Sequence, residues 1–322
     1  MPNVEIVERR QVSLYGSGMT IVEYNTPVGT VTERVKREPG VGEWKQQRSW
    51  RDVIPWTIEH RIKKPEDYDV VKFMVEDTMY KADYFPIEQA KDWLGEDGVI
   101  VANLPHSPMQ TLMIDWLGAP TFYYHHARYR KKVEELYFAV SEKYQEIYRI
   151  AANSPADAVM FGDNLDGVLV NPNLFQEYFM PSYEKCACVL HEKGKLLASH
   201  FDGRLGALKS LIARCPQDII EGFHPPPMGD LPIREALDLW NDKVIIIGFP
   251  GSVYSLGTDA VKNYLIELLK SVMPGDRVGI AASTENLVTD EHLLVLSSAL
   301  QSAILPLSNE NICKIEKHLS EL

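Results

Sequence analysis

The sequence predicts an α/β fold of the (β/α)8, TIM-barrel type, incomplete or modified at its N-terminus and preceded by a small β-meander. From residue 99 onward, apolar runs of strand length alternate with amphipathic helical patterns, which is typical of a parallel sheet with helical crossovers. Strands such as residues 244–248 are apolar throughout, as expected for burial on both faces. Polar segments follow the strands and no Gly-x-Gly-x-x-Gly turn does, which favours a barrel over a dinucleotide-binding sheet.

Composition and charge exclude several classes of protein. The 322 residues are 45% apolar and carry a formal charge of −12, which argues against a nucleic-acid partner because phosphate contacts need clustered Lys and Arg. No apolar run reaches the length of about 18 residues that a membrane span needs. The N-terminal residues lack the features of a signal peptide. We therefore expect a cytoplasmic protein. The sequence leaves open whether it forms a homo-oligomer.

The first 63 residues form the predicted N-terminal β-rich segment and linker, and residues 64–322 form the predicted barrel domain. Short antiparallel strands are predicted by β-branched residues in 11–26 and 28–35. Residues 40–51 are polar with two tryptophans and predict neither strand nor helix. Pro65 and the acidic residues after it begin a predicted helix, and a second helix is predicted over 85–94.

Six apolar runs predict the barrel strands, over residues 99–104, 158–162, 196–200, 218–222, 244–248 and 278–282. Helical spacing of apolar residues predicts the helices between and after them, over residues 109–117, 129–152, 174–191, 204–215, 233–240, 260–273 and 290–303. Six strands are fewer than the eight of a complete barrel. We therefore expect fewer than eight barrel strands from this chain.

The strand at 196–200 ends in the most informative pair of residues. His200 and Asp202 are two residues apart and so lie on one face, and Gly203 lets the backbone turn. A histidine with a carboxylate at a barrel mouth suggests a ligand pair or an oriented acid/base pair. The alternative is a hydrogen bond that only fixes a loop.

Polar residues at other strand ends add to the same mouth. Glu221 lies in the next strand, in an apolar setting where a carboxylate is rarely buried without a partner. His224 lies at the rim, where an exposed loop histidine is an equal alternative. The predicted catalytic residues are His200, Asp202 and Asp163; the predicted substrate-binding residues are Asn164, His224 and Asn286; the predicted zinc ligands are His200, Glu221 and Glu285. The same groups equally support acid/base chemistry without a metal.

Seven segments carry a family resemblance: Asp163–Leu165, Pro172–Phe175, Met180–Pro181, Lys193–Lys195, His200–Gly203, Glu221–Asp230 and Trp240–Lys243. With these segments the chain resembles the uroporphyrinogen decarboxylase superfamily, and most closely its corrinoid-dependent methyltransferase branch. The resemblance covers roughly Lys64 to Ala303. It implies a (β/α)8 barrel and a methyltransferase that moves a methyl group from a small donor to a cobalamin-type corrinoid carried by a partner protein.

The chain departs from that branch at the metal site. Members hold zinc through His-x-Cys and a further Cys near the last strand, whereas Asp202 and the segment Ser283–Glu285 stand where the two cysteines would be. Zinc with few thiolate ligands is harder and suits an ether oxygen, so the expected donor is a small, aromatic or other, methyl ether that is demethylated. The family's first barrel strand has no counterpart, so we expect the N-terminal part of the barrel to be missing or supplied by another chain.

Two alternatives remain open. The first is a decarboxylase like the other branch of the superfamily, which works without a metal, although the basic N-terminal segment that grips substrate carboxylates in that branch has no counterpart here. The second is a non-catalytic barrel that binds a ligand. Metal content separates the methyltransferase from the decarboxylase, and turnover with cob(I)alamin separates it from the non-catalytic barrel.

Overall fold

The computed structural model describes residues 1–12, 18–37, 56–282 and 288–322. The chain divides into two units, of which unit 1 comprises residues 1–159 and 188–195, and unit 2 comprises residues 160–187 and 196–322. No helix in the described ranges is both long enough and apolar enough to cross a bilayer.

A four-stranded antiparallel sheet begins unit 1, with strands in the order β1 (Glu5–Val12), β2 (Gly18–Thr26), β3 (Gly29–Arg37) and β4 (Trp56–Glu59). Alternate residues of β2 and β3, such as Val22, Tyr24, Val31 and Val35, are buried, as the two-residue period of a strand requires. The predicted N-terminal β-meander is therefore present. The polar segment 40–51 lies outside the described residues.

The helices of unit 1 follow this sheet. They are α1 (Asp67–Asp77), α2 (Phe85–Leu94), α3 (Pro108–Gln110), α4 (Ala119–Arg128) and α5 (Arg130–Ala152), with strand β5 (Val101–Leu104) after α2 and a π-helical segment, Thr111–Leu117, after α3. α5 packs on α1 and buries residues three and four apart, which is typical of an amphipathic helix. α4 is not predicted by the sequence, because its aromatic and histidine residues have modest helix propensity.

A six-stranded sheet has the order β10-β9-β8-β7-β6-β5. Its remaining strands are β6 (Ala158–Phe161), β7 (Leu196–His200), β8 (Ile219–Phe223), β9 (Val244–Phe249) and β10 (Val278–Ala282). The pairings of β7 with β8, β8 with β9 and β9 with β10 are parallel. β5 and the first two residues of β6 belong to unit 1, and the later strands to unit 2. The structure confirms the predicted α/β class and the predicted succession of strands along the chain. The described ranges contain six strands of this sheet, and β10 and β5 are the first and last strands in its order.

Helices alternate with these strands. They are α6 (Pro172–Leu174), a π-helical segment Phe175–Phe179, α7 (Met180–His191), α8 (Lys209–Ile212), α9 (Ile233–Leu239), α10 (Gly251–Tyr254), α11 (Thr258–Val272), α12 (Asp290–Gln301) and α13 (Asn309–Ser320). The helix predicted over 204–215 is reduced to α8. Its predicted first turn forms a loop instead, in which the Gly206 amide donates to Asp230 at 2.8 Å.

Candidate functional site

The candidate site lies at the carboxyl ends of two adjacent parallel strands of unit 2. His200 is the last residue of β7, and Glu221 is its register partner in β8. His200 Nδ1 makes a very short contact with Glu221 Oε2, and His200 Nε2 lies 3.6 Å from Asp202 Oδ2. The imidazole is therefore held between two carboxylates, one on each side of the ring.

Gly222 provides the space for this imidazole. A Cβ atom on Gly222 would lie 2.6 Å from both Cε1 and Nδ1 of His200, which is closer than real Cβ contacts. Gly222 also has a φ of 74°, in the left-handed region that glycine adopts without steric cost, and the β8–β9 register shifts between Ile220 and Phe223. The ring of His200 therefore lies directly on the backbone of β8.

The two carboxylates also set the charge of the imidazole. The partnership of His200 with Asp202, followed by that with Glu221, raises its pKa from 6.5 to about 10, against an opposing effect of burial. An opposite charge nearby favours the charged form of a group. His200 is therefore an imidazolium at neutral pH, and it can hold or donate a proton.

We expect His200 to titrate near pH 10. Because its pKa is higher in the folded chain than the ordinary 6.5, its ion pairs stabilise the fold fully below about pH 6.5, and this contribution is lost as the pH rises through about 10. Nuclear magnetic resonance of the ring signals across pH 5–11 measures the midpoint. Glu221→Gln and Asp202→Asn should each lower it, and a wild-type midpoint near 6.5 would contradict this arrangement.

A pocket of about 550 Å³ opens beside Asp202. The loops after β6, β7 and β8 form it, and they are tied together because the Gly203 amide donates to the Leu165 carbonyl at 3.0 Å and Gly206 is bound to Asp230. The lining residues are Asn164, Asp166, Leu169, Asp202, Gly203, Arg204, Pro227, Met228 and Gly229. The pocket thus offers an amide, two carboxylates and a guanidinium together with apolar surface.

Asp166 and Arg204 form the charged wall of this pocket. Arg204 Nε lies 3.5 Å from Asp166 Oδ2. Burial favours a raised pKa for Asp166, but hydrogen bonds from the amides of Val168 and Arg204 hold that pKa below its ordinary value. Arg204 is 55% exposed in its side chain, so its guanidinium remains accessible to a ligand. The sequence pattern does not single out Arg204; its place directly after Gly203 is the available signal.

The structure places the other predicted residues differently. Asn164 lines the pocket, whereas Asp163, predicted to be catalytic, is fully buried and accepts a hydrogen bond from the Tyr183 hydroxyl at 2.8 Å. Asp163 therefore lies beneath the site surface. The ring of His224 lies against Gly248 of β9. Glu285 and Asn286 lie outside the described residues.

Removing the tyrosine hydroxyl that binds Asp163 is expected to destabilise the protein. Tyr183→Phe leaves a buried carboxylate oxygen without this donor, which costs about 1–3 kcal/mol. Tyr254→Phe is the matched control, because the Tyr254 hydroxyl is buried without a hydrogen-bond partner among the described residues, and its loss should be neutral or stabilising. Urea denaturation of both variants measures the difference, and equal free energies of unfolding would contradict a structural role for the Tyr183–Asp163 bond.

A second histidine–carboxylate pair, in unit 1, is not predicted by the sequence. His106 follows the end of β5, and its Nδ1 lies 2.9 Å from Asp115 Oδ2. Asp115 belongs to the π-helical segment, and its carbonyl oxygen lies 3.0 Å from His60 Nδ1. A histidine at or just after the end of an apolar strand is the pattern by which the sequence identifies His200. The same pattern applies to His106.

The described residues include two of the three predicted zinc ligands, His200 and Glu221, which are in direct contact. Within the described ranges, no group of three or more His, Cys, Asp or Glu side chains is placed to hold a metal ion. The third predicted ligand, Glu285, belongs to the segment 283–287 outside those ranges.

Comparison with known proteins shows the fold. The chain matches no family model and no curated protein. It is similar to a methyltransferase from Methanosarcina mazei, with a TM-score of 0.56, 13% identity, and coverage of 83% of this chain and 72% of that chain. A putative orotidine 5′-phosphate decarboxylase from Streptomyces avermitilis gives a TM-score of 0.35 and 11% identity, over 76% of this chain and 95% of that chain. The chain thus shares a fold with the first of these proteins.

Proposed function

We propose that this protein is a methyltransferase of the uroporphyrinogen decarboxylase superfamily. It would move a methyl group from a small, aromatic methyl ether to a corrinoid carried by a partner protein. The observation that carries this proposal is the imidazole of His200, held between Asp202 and Glu221 at two strand ends beside an open pocket. The shared fold with a methyltransferase supports it.

The chemistry requires a proton at the leaving oxygen. When the methyl–oxygen bond breaks, both bonding electrons stay on the oxygen, and an aromatic ether then leaves as a phenoxide. The corrinoid supplies the nucleophilic cobalt that accepts the methyl group. His200 supplies the proton, most directly from Nε2, whose 3.6 Å separation from Asp202 is longer than an ordinary hydrogen bond. Solvent then reprotonates the ring.

The acidities of donor and acceptor are matched in this proposal. A phenol has a pKa of about 10, as the tyrosine side chain does, and the pKa of His200 is also about 10. Proton transfer between groups of similar pKa is close to thermoneutral. An aliphatic alkoxide is far more basic than a phenoxide. The pKa of His200 is therefore better matched to an aromatic leaving group.

The pocket supports an aromatic substrate. Leu169, Pro227 and Met228 provide apolar surface for a ring, while Asn164 and Arg204 can bind polar substituents. A volume of about 550 Å³ lies within the range of small-molecule sites.

In the same proposal the reaction is cytoplasmic, and the six-stranded sheet is part of a barrel.

The test is methyl transfer by the purified chain. The protein is mixed anaerobically with free cob(I)alamin and methoxybenzene or methoxyphenol, and loss of the cob(I)alamin absorbance is followed while mass spectrometry detects the phenolic product. Stoichiometric phenol formation that depends on the protein is the expected result. No transfer from aryl methyl ethers would overturn the proposal, and release of carbon dioxide from an aromatic or porphyrin carboxylate would establish the decarboxylase instead.

A further inference from the structure

Strands β8 and β9 end in the same dipeptide, Gly222-Phe223 and Gly248-Phe249. Phe223 packs edge-on against Trp240 with ring centroids 5.8 Å apart. Phe249 packs against Tyr254 of α10 at 5.2 Å. Both phenylalanines therefore lie on the side of the sheet covered by helices.

Each glycine of this repeat lies under an imidazole from the preceding strand. His200 lies on Gly222, and the ring of His224 lies so close to Gly248 that a Cβ atom there would overlap it. Successive residues of a strand point to opposite faces. In β9 the imidazole over Gly248 is therefore on the face opposite Phe249, and the strands beneath the two imidazoles are about 4.8 Å apart.

The backbone of His224 is held rigidly. Three prolines follow it, and proline fixes its own φ. A Cβ atom on Gly229 would overlap the His224 carbonyl oxygen, and the Gly229 amide donates to the Pro225 carbonyl at 3.2 Å. Position 224 is thus fixed by tight packing of the loop.

The two imidazoles differ in their partners. Both nitrogens of His200 face carboxylates, whereas His224 Nδ1 is buried without a hydrogen-bond partner among the described residues. A buried N–H group without an acceptor is less tolerated than a buried lone pair. Of the two neutral tautomers of an imidazole, the one with the lone pair on Nδ1 and the proton on Nε2 is therefore favoured at position 224.

We propose that His224 is a second imidazole of the site, held in the Nε2–H tautomer, that donates a hydrogen bond to an oxygen atom of a phenol-type ligand. This inference rests on the proposed function for the class of ligand. His224 transfers no proton; it orients the oxygen that receives one from His200. The site thereby combines the acid His200 at the end of β7 with a hydrogen-bond donor directly after β8.

The test uses phenol as the probe, because phenol binding does not require methyl transfer. In protein labelled with nitrogen-15, the His224 Nδ1 signal should be that of an unprotonated imidazole nitrogen, and phenol should shift the His224 signals. His224→Gln keeps an amide donor near the Nε2 position and should retain phenol affinity to within about threefold. His224→Asn places its amide at the Nδ1 position and should weaken phenol binding about tenfold, as the loss of one hydrogen bond predicts.

A second variant keeps the test valid if the substitutions at 224 disturb folding. Gly248→Ala keeps the histidine at position 224 but displaces its imidazole ring, because the added Cβ atom would overlap the ring. This variant should therefore also weaken phenol binding. A protonated Nδ1, an absence of phenol-induced shifts at His224, or undiminished affinity in His224→Asn would overturn the inference. If phenol shifts the His224 signals and no aryl methyl ether is demethylated, the proposed function fails and the role of His224 in ligand binding stands.

Discussion

Replacing His200 with alanine is expected to slow methyl transfer to cob(I)alamin by about 10²–10⁴-fold, the range that a positioned general acid contributes. The variant keeps the pocket but removes the only proton donor that the proposal places at the leaving oxygen. The rate of cob(I)alamin consumption with methoxyphenol measures the effect. His318→Ala is the matched control, because His318 is an exposed residue of α13 in the same unit.

Variants of the two carboxylates test the charge of His200 without removing its imidazole. Glu221→Gln and Asp202→Asn retain the imidazole while weakening the interactions that raise its pKa. The upper limit of the pH range for activity should therefore move to lower pH in both. Undiminished methyl transfer by His200→Ala would show that the imidazole is not the acid.

Replacing Gly222 with alanine is expected to cause the largest structural disturbance of the site. The added Cβ would lie 2.6 Å from the His200 ring, and the φ of 74° is unfavourable for alanine by about 1–2 kcal/mol. Gly194→Ala separates these effects, because Gly194 has a φ of 67° and nothing within 4 Å of the position of a Cβ atom. Chemical denaturation and the ring titration of His200 measure both variants.

The expected difference between the two alanine variants is specific. In Gly194→Ala the free energy of unfolding should fall only by the cost of the unfavourable backbone conformation, and the pKa of His200 should be unchanged. Gly222→Ala should lose more stability, lower the pKa of His200 by separating it from Glu221, and lose methyl transfer. Equal losses of stability, with the His200 titration unaltered in both, would disprove close packing of the ring on Gly222.

Much of unit 2 is predictable from local sequence. Its strands appear within a residue or so of their predicted limits because buried parallel strands are continuously apolar and end abruptly at polar residues. The end of β7 at His200 and the pairing of that residue with Glu221 follow from strand order alone. The sequence therefore identifies His200 together with both carboxylates that flank it, Asp202 and Glu221.

Other features depend on contacts between distant residues. Asp163 ends a strand like His200, but its burial is decided by packing against Tyr183 of α7, which strand periodicity does not reveal. The shortened helix α8 depends similarly on Asp230, which holds the amide of Gly206. The positions of His200 and His224 over glycines depend on register between neighbouring strands, although the repeated Gly-Phe dipeptide is visible in the sequence.

The repeated Gly-Phe strand ends have a consequence for how this scaffold can change during evolution. Each phenylalanine fills the helix-covered layer, while the imidazole that lies on each glycine comes from the end of the preceding strand and rests on bare backbone. The residues at positions 200 and 224 can therefore be exchanged without repacking the layer that stabilises the unit. Such a separation confines the loss on exchanging His200 to its ion pairs with Asp202 and Glu221, and it makes the two glycines the positions that limit which new side chains can be accommodated.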